Sequence, residues 1–470
     1  MYVDKNRIIG DVDKRIYGSF VEQLGRAVYE GIYDPENKNS DKDGFRKDVI
    51  VAVKKLNVPI VRFPGGNFLS QYKWEDGIGP VEDRPKRLDL AWHTIETNEF
   101  GLHEFMNWCN KVGCQANLAV NTGTRGIMAA CNLLEYCNFP EGTYWSDLRR
   151  KNGAEKPFGI KTWCVGNEMD GPWEIGQKSA YEYAKLARET AKAMRQIDPN
   201  LELVVCGSSD QKLDTFGSWE REVLLQCYDY IDMLSLHKYF GYYDGEDEND
   251  TANYLAQNIE MDEFIKAVVA ICDSVGAELK TDKKINLSFD EWNVWYHSNE
   301  ADTKIEWWQK APHLLEDTYN FEDALLVGSL LITLLKNCNR VKMACLAQLV
   351  NVIAPIRTNK DGIWLQSIYY PFMQVSNNGL GTALDSLVDV KTYDCAEHKN
   401  VPYTDSIATF DEKNNEITIF IVNKNAMEAC DFTCYFNGFN IKTVIEATQF
   451  AGYPVKQTNE DGKMKLQDLQ

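Results

Sequence analysis

Apolar runs of strand length recur through the first three quarters of the chain, and most of them finish in polar residues. They are 16–22 (IYGSFVE), 59–63 (PIVRF), 114–120 (CQANLAV) and 159–166 (GIKTWCVG), followed by 201–207 (LELVVCG), 231–237 (IDMLSLH), 285–291 (INLSFDE) and 340–348 (RVKMACLAQ). Each is rich in Val, Ile, Leu or aromatic residues. Between most of them, apolar residues fall at helical spacing, over 45–56, 179–197, 261–275 and 321–335. Residues 363–375 read the same way after the eighth run. Strands alternating with helices build a parallel sheet. Eight repeats predict a closed (β/α)8 TIM barrel of the α/β class. An open doubly wound sheet is the alternative, but no GxGxxG or P-loop follows any run.

The texture changes near residue 380. Short alternating runs take over: LDSLVDVKTY, DSIATF, EITIFIVNKN, DFTCYFNGF and TVIEATQF. These predict a C-terminal antiparallel β-sandwich, jelly-roll-like. The expected division is a barrel over 10–378 and a sandwich over 379–470, with residues 1–9 adding a strand to the sandwich.

In a barrel, reactive groups sit where strands give way to loops at one face. Here the strands lead into Glu22, Asn67, Asn121, Asn167-Glu168, Ser208-Ser209, His237 with Tyr239, Glu291 and Gln348. Such a mixture of carboxylates, amides and a phenol suits the hydroxyls of a sugar. Cleaving a glycosidic bond needs a proton donor at the leaving oxygen and a second carboxylate at the anomeric carbon. Glu168 follows the fourth strand and Glu291 ends the seventh, so the two face each other across the mouth. Each stands at the end of an apolar strand with aromatics close behind. Trp173, Trp292 and Trp295 are candidates to keep water from the acid.

Composition narrows the partners. There are 70 acidic and 50 basic residues, a net charge of −20. Such a surface repels nucleic acid and anionic membranes and favours a neutral substrate. No segment approaches the length of a membrane span. The N-terminus lacks the apolar core of a secretion signal. The 13 cysteines are scattered, several within apolar runs, with no metal-ligand spacing. They read as reduced thiols, pointing to a cytoplasmic protein. No metal or organic cofactor is implied.

Five motifs carry a resemblance: FVEQLGRAVYEGIYDP, VRFPGGNFLSQYKWEDGIGP, TWCVGNEMDGPW, LSLHKYFG and DEWNVWY. In this order they resemble glycoside hydrolase family 51, the retaining α-L-arabinofuranosidases of clan A. The resemblance implies Glu168 as general acid/base and Glu291 as nucleophile. It implies sugar contacts from Glu22, Asn67, Asn167, Tyr239 and Gln348. Trp92 and Trp295 are expected as walls of the sugar pocket, with Arg62 and His237 in support of the nucleophile. Implied partners are arabinofuranose-containing oligosaccharides or polysaccharides such as arabinoxylan and arabinan. A homo-oligomer, often a hexamer, is implied as well. Members of the family usually continue past a final sandwich strand, whereas this chain stops at Gln470, so any departure is expected at the sandwich edge. The same scaffold also serves endo-glucanases and xylosidases. A non-catalytic sugar-binding protein is a further alternative, against which the presence of both carboxylates argues.

Overall fold

The computed structural model describes residues 1–242 and 246–469. Eight parallel strands close into a barrel in sequence order. They are β1 (Gly18–Phe20), β2 (Ile60–Phe63), β3 (Gln115–Val120), β4 (Thr162–Val165), β5 (Glu202–Val205), β6 (Met233–Phe240), β7 (Asn286–Val294) and β8 (Val341–Leu346). β8 closes the ring on β1 through Cys345↔Gly18 and Leu346↔Ser19. Every predicted barrel strand is found, up to three residues shorter or longer at its ends.

Two apolar layers follow from strand alternation. Inward residues such as Phe20, Ile60, Ala119, Cys164, Val204, Met233, Met343 and Cys345 fill the barrel. Outward residues such as Val61, Leu118, Trp163, Leu203, Leu234 and Phe289 pack under the helices.

The helix Ala180–Ile197 shows how sequence sets both ends of an element and points it at the mouth. Ser179 and Glu182 form a capping box at its start, which satisfies amides that the first turn leaves free. It ends at Ile197, before Asp198-Pro199. Pro cannot continue a helix and restricts the residue before it. Tyr183, Ala184, Ala187, Ala191 and Met194 form its buried stripe. The Tyr183 hydroxyl donates to Val165 O and accepts from Cys206 N–H. That clamps the ends of β4 and β5 just below the loop that carries Glu168.

The stretch 363–375 is not one helix. Ile363–Leu365 is a strand paired with Ile356–Thr358, and the helix spans only Tyr369–Asn378. Residues 359–362 (NKDG) form the connecting turn, with Asn359 Oδ1 accepting from the Asp361 and Gly362 amides. That turn chemistry outweighs the helical spacing beyond it. Four further helices, Leu102–Val112, Ile127–Asn138, Tyr144–Lys151 and Ser218–Cys227, complete the outer ring.

The C-terminal region is built on antiparallel sheets. Its main sheet orders Glu416–Asn423, Thr404–Asp411, Thr382–Leu384 and Ile8–Asp11. Tyr2–Asp4 pairs in parallel with Tyr435–Asn437. The later runs form only short strands, Tyr435–Asn437, Thr448–Gln449 and Gln467–Asp468, and Val444 and Ile445 are exposed. An alternating run stays irregular where no strand lies beside it to take its hydrogen bonds. The helix Phe321–Lys336 lies between this sheet and the barrel; Gly328 leaves room there for Val422. Lys424, fully buried, pairs with Asp405 at 2.7 Å and donates to Asn258 Oδ1 of a barrel helix at 2.6 Å.

Candidate active site

The strand ends converge as the sequence predicts. On β7, Glu291 is 5% exposed. Its Oε1 accepts from Arg62 Nη1 of β2 at 2.6 Å. Its Oε2 accepts from the Tyr239 hydroxyl of β6 at 2.8 Å. Burial alone would raise its pKa, but His237, Arg62 and the Tyr239 hydroxyl overcome that and hold the carboxyl below its usual value. Glu291 is thus kept as an anion. Arg62 stacks on Phe20 and stays protonated despite burial, because Glu291 and Asp290 lie beside it.

Glu168 is 8% exposed. It follows β4 on a turn that its own backbone strains, with φ +42°, a region that non-glycine residues rarely occupy. The Gly171 amide donates to Glu168 O at 2.8 Å and closes this turn. Gly166, at φ +101°, could not carry a side chain, since a Cβ would meet Thr122 Oγ1 at 2.3 Å. One carboxylate oxygen, Oε2, accepts from Trp173 Nε1 at 2.6 Å. The other lies 2.8 Å from His237 Nδ1. His237 Nδ1 is also 3.7 Å from Glu291 Oε2. The two carboxylates outweigh burial and raise the pKa of His237. Oxygens of Glu168 and Glu291 come within 4.8 Å of each other.

Glu22 forms the floor opposite. Its Oε1 accepts from Phe68 N–H at 2.9 Å and Trp92 Nε1 at 3.0 Å, and its Oε2 from Gln348 Nε2 at 3.3 Å. Gly66 explains the PGGN motif: a Cβ there would meet Glu22 Oε2 at 2.4 Å. Burial and the charge of Glu291 push the Glu22 carboxyl up to about 8, against the pull of the Phe68 and Trp92 donors. Asn167 Oδ1 accepts from Arg62 Nη2 at 2.6 Å. Trp295 packs edge-on to Tyr239 at 5.2 Å, and it joins Trp92 and Tyr239 against the inner apolar cluster.

All eleven predicted site residues therefore meet at one mouth. Other strand-end residues do not take part. Asn121 braces its own loop through Tyr72 O and Thr124, and Ser209 braces Asp170. Trp292 turns outward into the layer beneath the helices, so it does not shield the acid. The spacing of motifs missed Glu174. This buried carboxylate accepts from Asn167 Nδ2 at 2.7 Å, and its only sequence signal is its place six residues after Glu168.

Glu168, His237 and Glu291 offer ligand-type atoms close enough to hold a cation. However, the guanidinium of Arg62 already occupies Glu291, and that positive charge opposes a second one. A second group, Glu260, Glu397 and His398, has Lys238 at 3.1 Å from Glu260.

Residues 52–257 match the family model described as Alpha-L-arabinofuranosidase 1 domain, and residues 290–466 match Alpha-L-arabinofuranosidase C-terminal domain. The intracellular exo-α-(1→5)-L-arabinofuranosidase 1 of Bacillus subtilis is 56% identical over 467 residues, covering 99% of this chain and 92% of that one. The chain belongs to the α-L-arabinofuranosidase family. A relative from Halalkalibacterium halodurans, named an intracellular exo-α-(1→5)-L-arabinofuranosidase, is 57% identical over 98% of this chain and 91% of its own. The solved structure of AbfB, a family 51 α-L-arabinofuranosidase from Bifidobacterium longum, superposes with a TM-score of 0.95 at 41% identity. It covers 100% of this chain and 94% of that one. The barrel and C-terminal sheets of this arabinofuranosidase family are thus shared across the full described chain.

Proposed function

We propose that the chain is a retaining, exo-acting glycoside hydrolase that removes terminal non-reducing α-L-arabinofuranosyl residues by double displacement. The observation that carries this reading is the pair of buried carboxylates within 4.8 Å, one kept ionised by Arg62, His237 and Tyr239. Retaining enzymes hold their carboxyl groups about 5–5.5 Å apart, while inverting ones need more room for a water. Glu291 attacks the anomeric carbon as the bond to the leaving oxygen breaks. Glu168 gives that oxygen its proton. Water then attacks the glycosyl-enzyme, Glu168 takes a proton from it, and Glu291 is released as the carboxylate.

Glu22, Asn67, Asn167 and Gln348 are assigned to the hydroxyls of one furanose ring, with Trp92 and Trp295 as its walls. Tyr239 steadies the nucleophile and faces the ring oxygen. Arg62 and His237 act through the carboxylates they touch. The catalytic unit is residues 10–378, with 379–470 and residues 1–9 as its companion domain. The names of the relatives make arabino-oligosaccharides with α-(1→5) links the first natural substrates to try. The same names support a cytoplasmic location, and no helix among the described residues is long and apolar enough to cross a membrane. The resemblance also makes a homo-oligomer, often hexameric, the assembly to look for by light scattering.

Hydrolysis of 4-nitrophenyl α-L-arabinofuranoside by the wild type and two variants tests the roles. Glu291→Ala should lose nearly all activity. Glu168→Ala should form the glycosyl-enzyme and release it slowly, and azide should restore turnover as the glycosyl azide. Full activity in both variants would sink the assignment. Turnover of glucans or xylosides but not furanosides would move the substrate class.

A further inference from the structure

We propose that Glu174 is a positioning residue that works as an uncharged carboxylic acid, locking the side-chain amides of Asn67 and Asn167 in one orientation. This rests on the reading above for what those amides then do. Glu174 lies on the loop that carries Glu168 and is 5% exposed. Its Oε1 accepts from Asn167 Nδ2 at 2.7 Å. The Asn67 amide, turned so that its nitrogen meets acceptors, donates to the same oxygen at 2.7 Å and to Glu168 Oε2 at 3.2 Å. One carboxyl oxygen therefore gathers two amides that arrive from different barrel loops.

The surroundings select the neutral form. The charged groups that bear on Glu174 are Glu168, on its own loop, and Glu22, after β1. Both are acidic. Among the described residues, no Lys, Arg or His pairs with it. Burying a carboxylate without a cation is costly. Burial and then Glu168 push its carboxyl up to about 9, against the Ser70 hydroxyl and the Asn167 amide. The second oxygen, Oε2, is buried, and the Ser70 hydroxyl bears on the carboxyl as a hydrogen-bonding neighbour. A hydroxyl can pair with either form, so it is burial without a cation, beside two other carboxyl groups, that selects the neutral one.

The lock reaches the nucleophile. With its nitrogen held by Glu174, Asn167 must present Oδ1 to Arg62 Nη2, and Arg62 Nη1 holds Glu291. Glu174, Asn167, Arg62 and Glu291 thus form one hydrogen-bonded chain. An ionised Glu174 would place a negative charge beside two further carboxyl groups, Glu168 and Glu22.

The variants Glu174→Gln and Glu174→Ala separate charge from structure. Gln has the shape and neutrality of the protonated acid, and its amide can donate where the acid O–H does. Glu174→Gln should keep kcat/KM on the aryl arabinofuranoside within about threefold, with the pH profile unmoved, because no buried group is left unpaired. Glu174→Ala strands both amide nitrogens and should cost roughly 10- to 100-fold in kcat/KM. Difference infrared spectra of wild type minus Glu174→Gln at pH 7 should show the carbonyl stretch of one protonated carboxyl. That readout does not depend on the substrate, so an enzyme inactive on furanosides with the band present would overturn the functional reading and not this one. Absence of the band would overturn the proposal. So would a Gln variant that shifts the pH profile or loses as much activity as Ala.

Discussion

The Tyr239 hydroxyl donates a hydrogen bond to Glu291 Oε2 while its ring meets Trp295 edge-on. Burial and the nearby Glu291 charge raise its pKa well above that of a free phenol, so it remains a donor throughout the working pH range. Tyr239→Phe keeps the ring and removes that donor. Hydrogen bonds to charged groups are worth about 1.5–3 kcal/mol, which predicts a loss in kcat/KM of roughly 10- to 100-fold. Steady-state kinetics on the aryl arabinofuranoside checks this; a loss under twofold would show that the bond contributes little to the transition state. At this scale the sequence was informative where a motif placed a polar residue at a strand end, as for Glu22, Asn167, Glu168 and Glu291. It was silent on Glu174, because nothing in a lone Glu within a loop announces burial beside two amides. It misled on Trp292, which is adjacent to Glu291 in sequence but turns to the opposite face of the strand.

Among the elements, the helix Phe321–Lys336 has the widest duty. It packs against the barrel on one side and the C-terminal sheet on the other, and 14 of its 16 residues are buried. A helix buried all round has no polar stripe to set its rotation, so fit must set it. Gly328 is a point of close approach: a Cβ there would lie 3.0 Å from Val422 Cγ2. Gly328→Leu is expected to push the helix from the sheet and cost about 1–3 kcal/mol. Calorimetry should show a lower melting midpoint, and Val422→Ala in the same chain should recover part of the loss. No recovery would place the strain elsewhere. Element reading from sequence succeeded for the barrel strands, whose apolar runs are set apart from one another by helical segments. It failed over 363–375, where a tight turn outweighed helical spacing, and it overstated the last runs, of which only two or three residues each pair with a neighbouring strand.

For the whole molecule, the balance of buried acids sets the response to pH. Glu22, Glu96 and Glu174 have pKa values raised by burial from 4.5 to about 8, 7 and 9. Asp89 and Asp170 rise from 3.8 to about 6, again by burial. Each keeps a proton in the folded chain that the unfolded chain has released. Stability is therefore lost as pH climbs from the unfolded values near 4 toward the folded ones, and it levels off above about 9. The net charge of −20 adds repulsion in the same direction. The melting midpoint should fall by several degrees between pH 6 and pH 9, and Glu174→Gln should flatten the upper part of that slope. A midpoint constant across this range would contradict the neutral state of these acids.

The pairing of Tyr2–Asp4 with Tyr435–Asn437, and of Ile8–Asp11 with Thr382–Leu384, has a consequence for synthesis. These segments are made well before their partners, which follow roughly 430 and 370 residues later. At about 5–20 residues per second, the first strands wait on the order of tens of seconds for their neighbours. The barrel strands have no such delay except at the closure, since each pairs with the next one made until β8 returns to β1, Cys345 against Gly18. Translation therefore delivers a nearly finished barrel while residues 2–11 are still unpaired, and their pairing waits until residues 382–384 and 435–437 have been made.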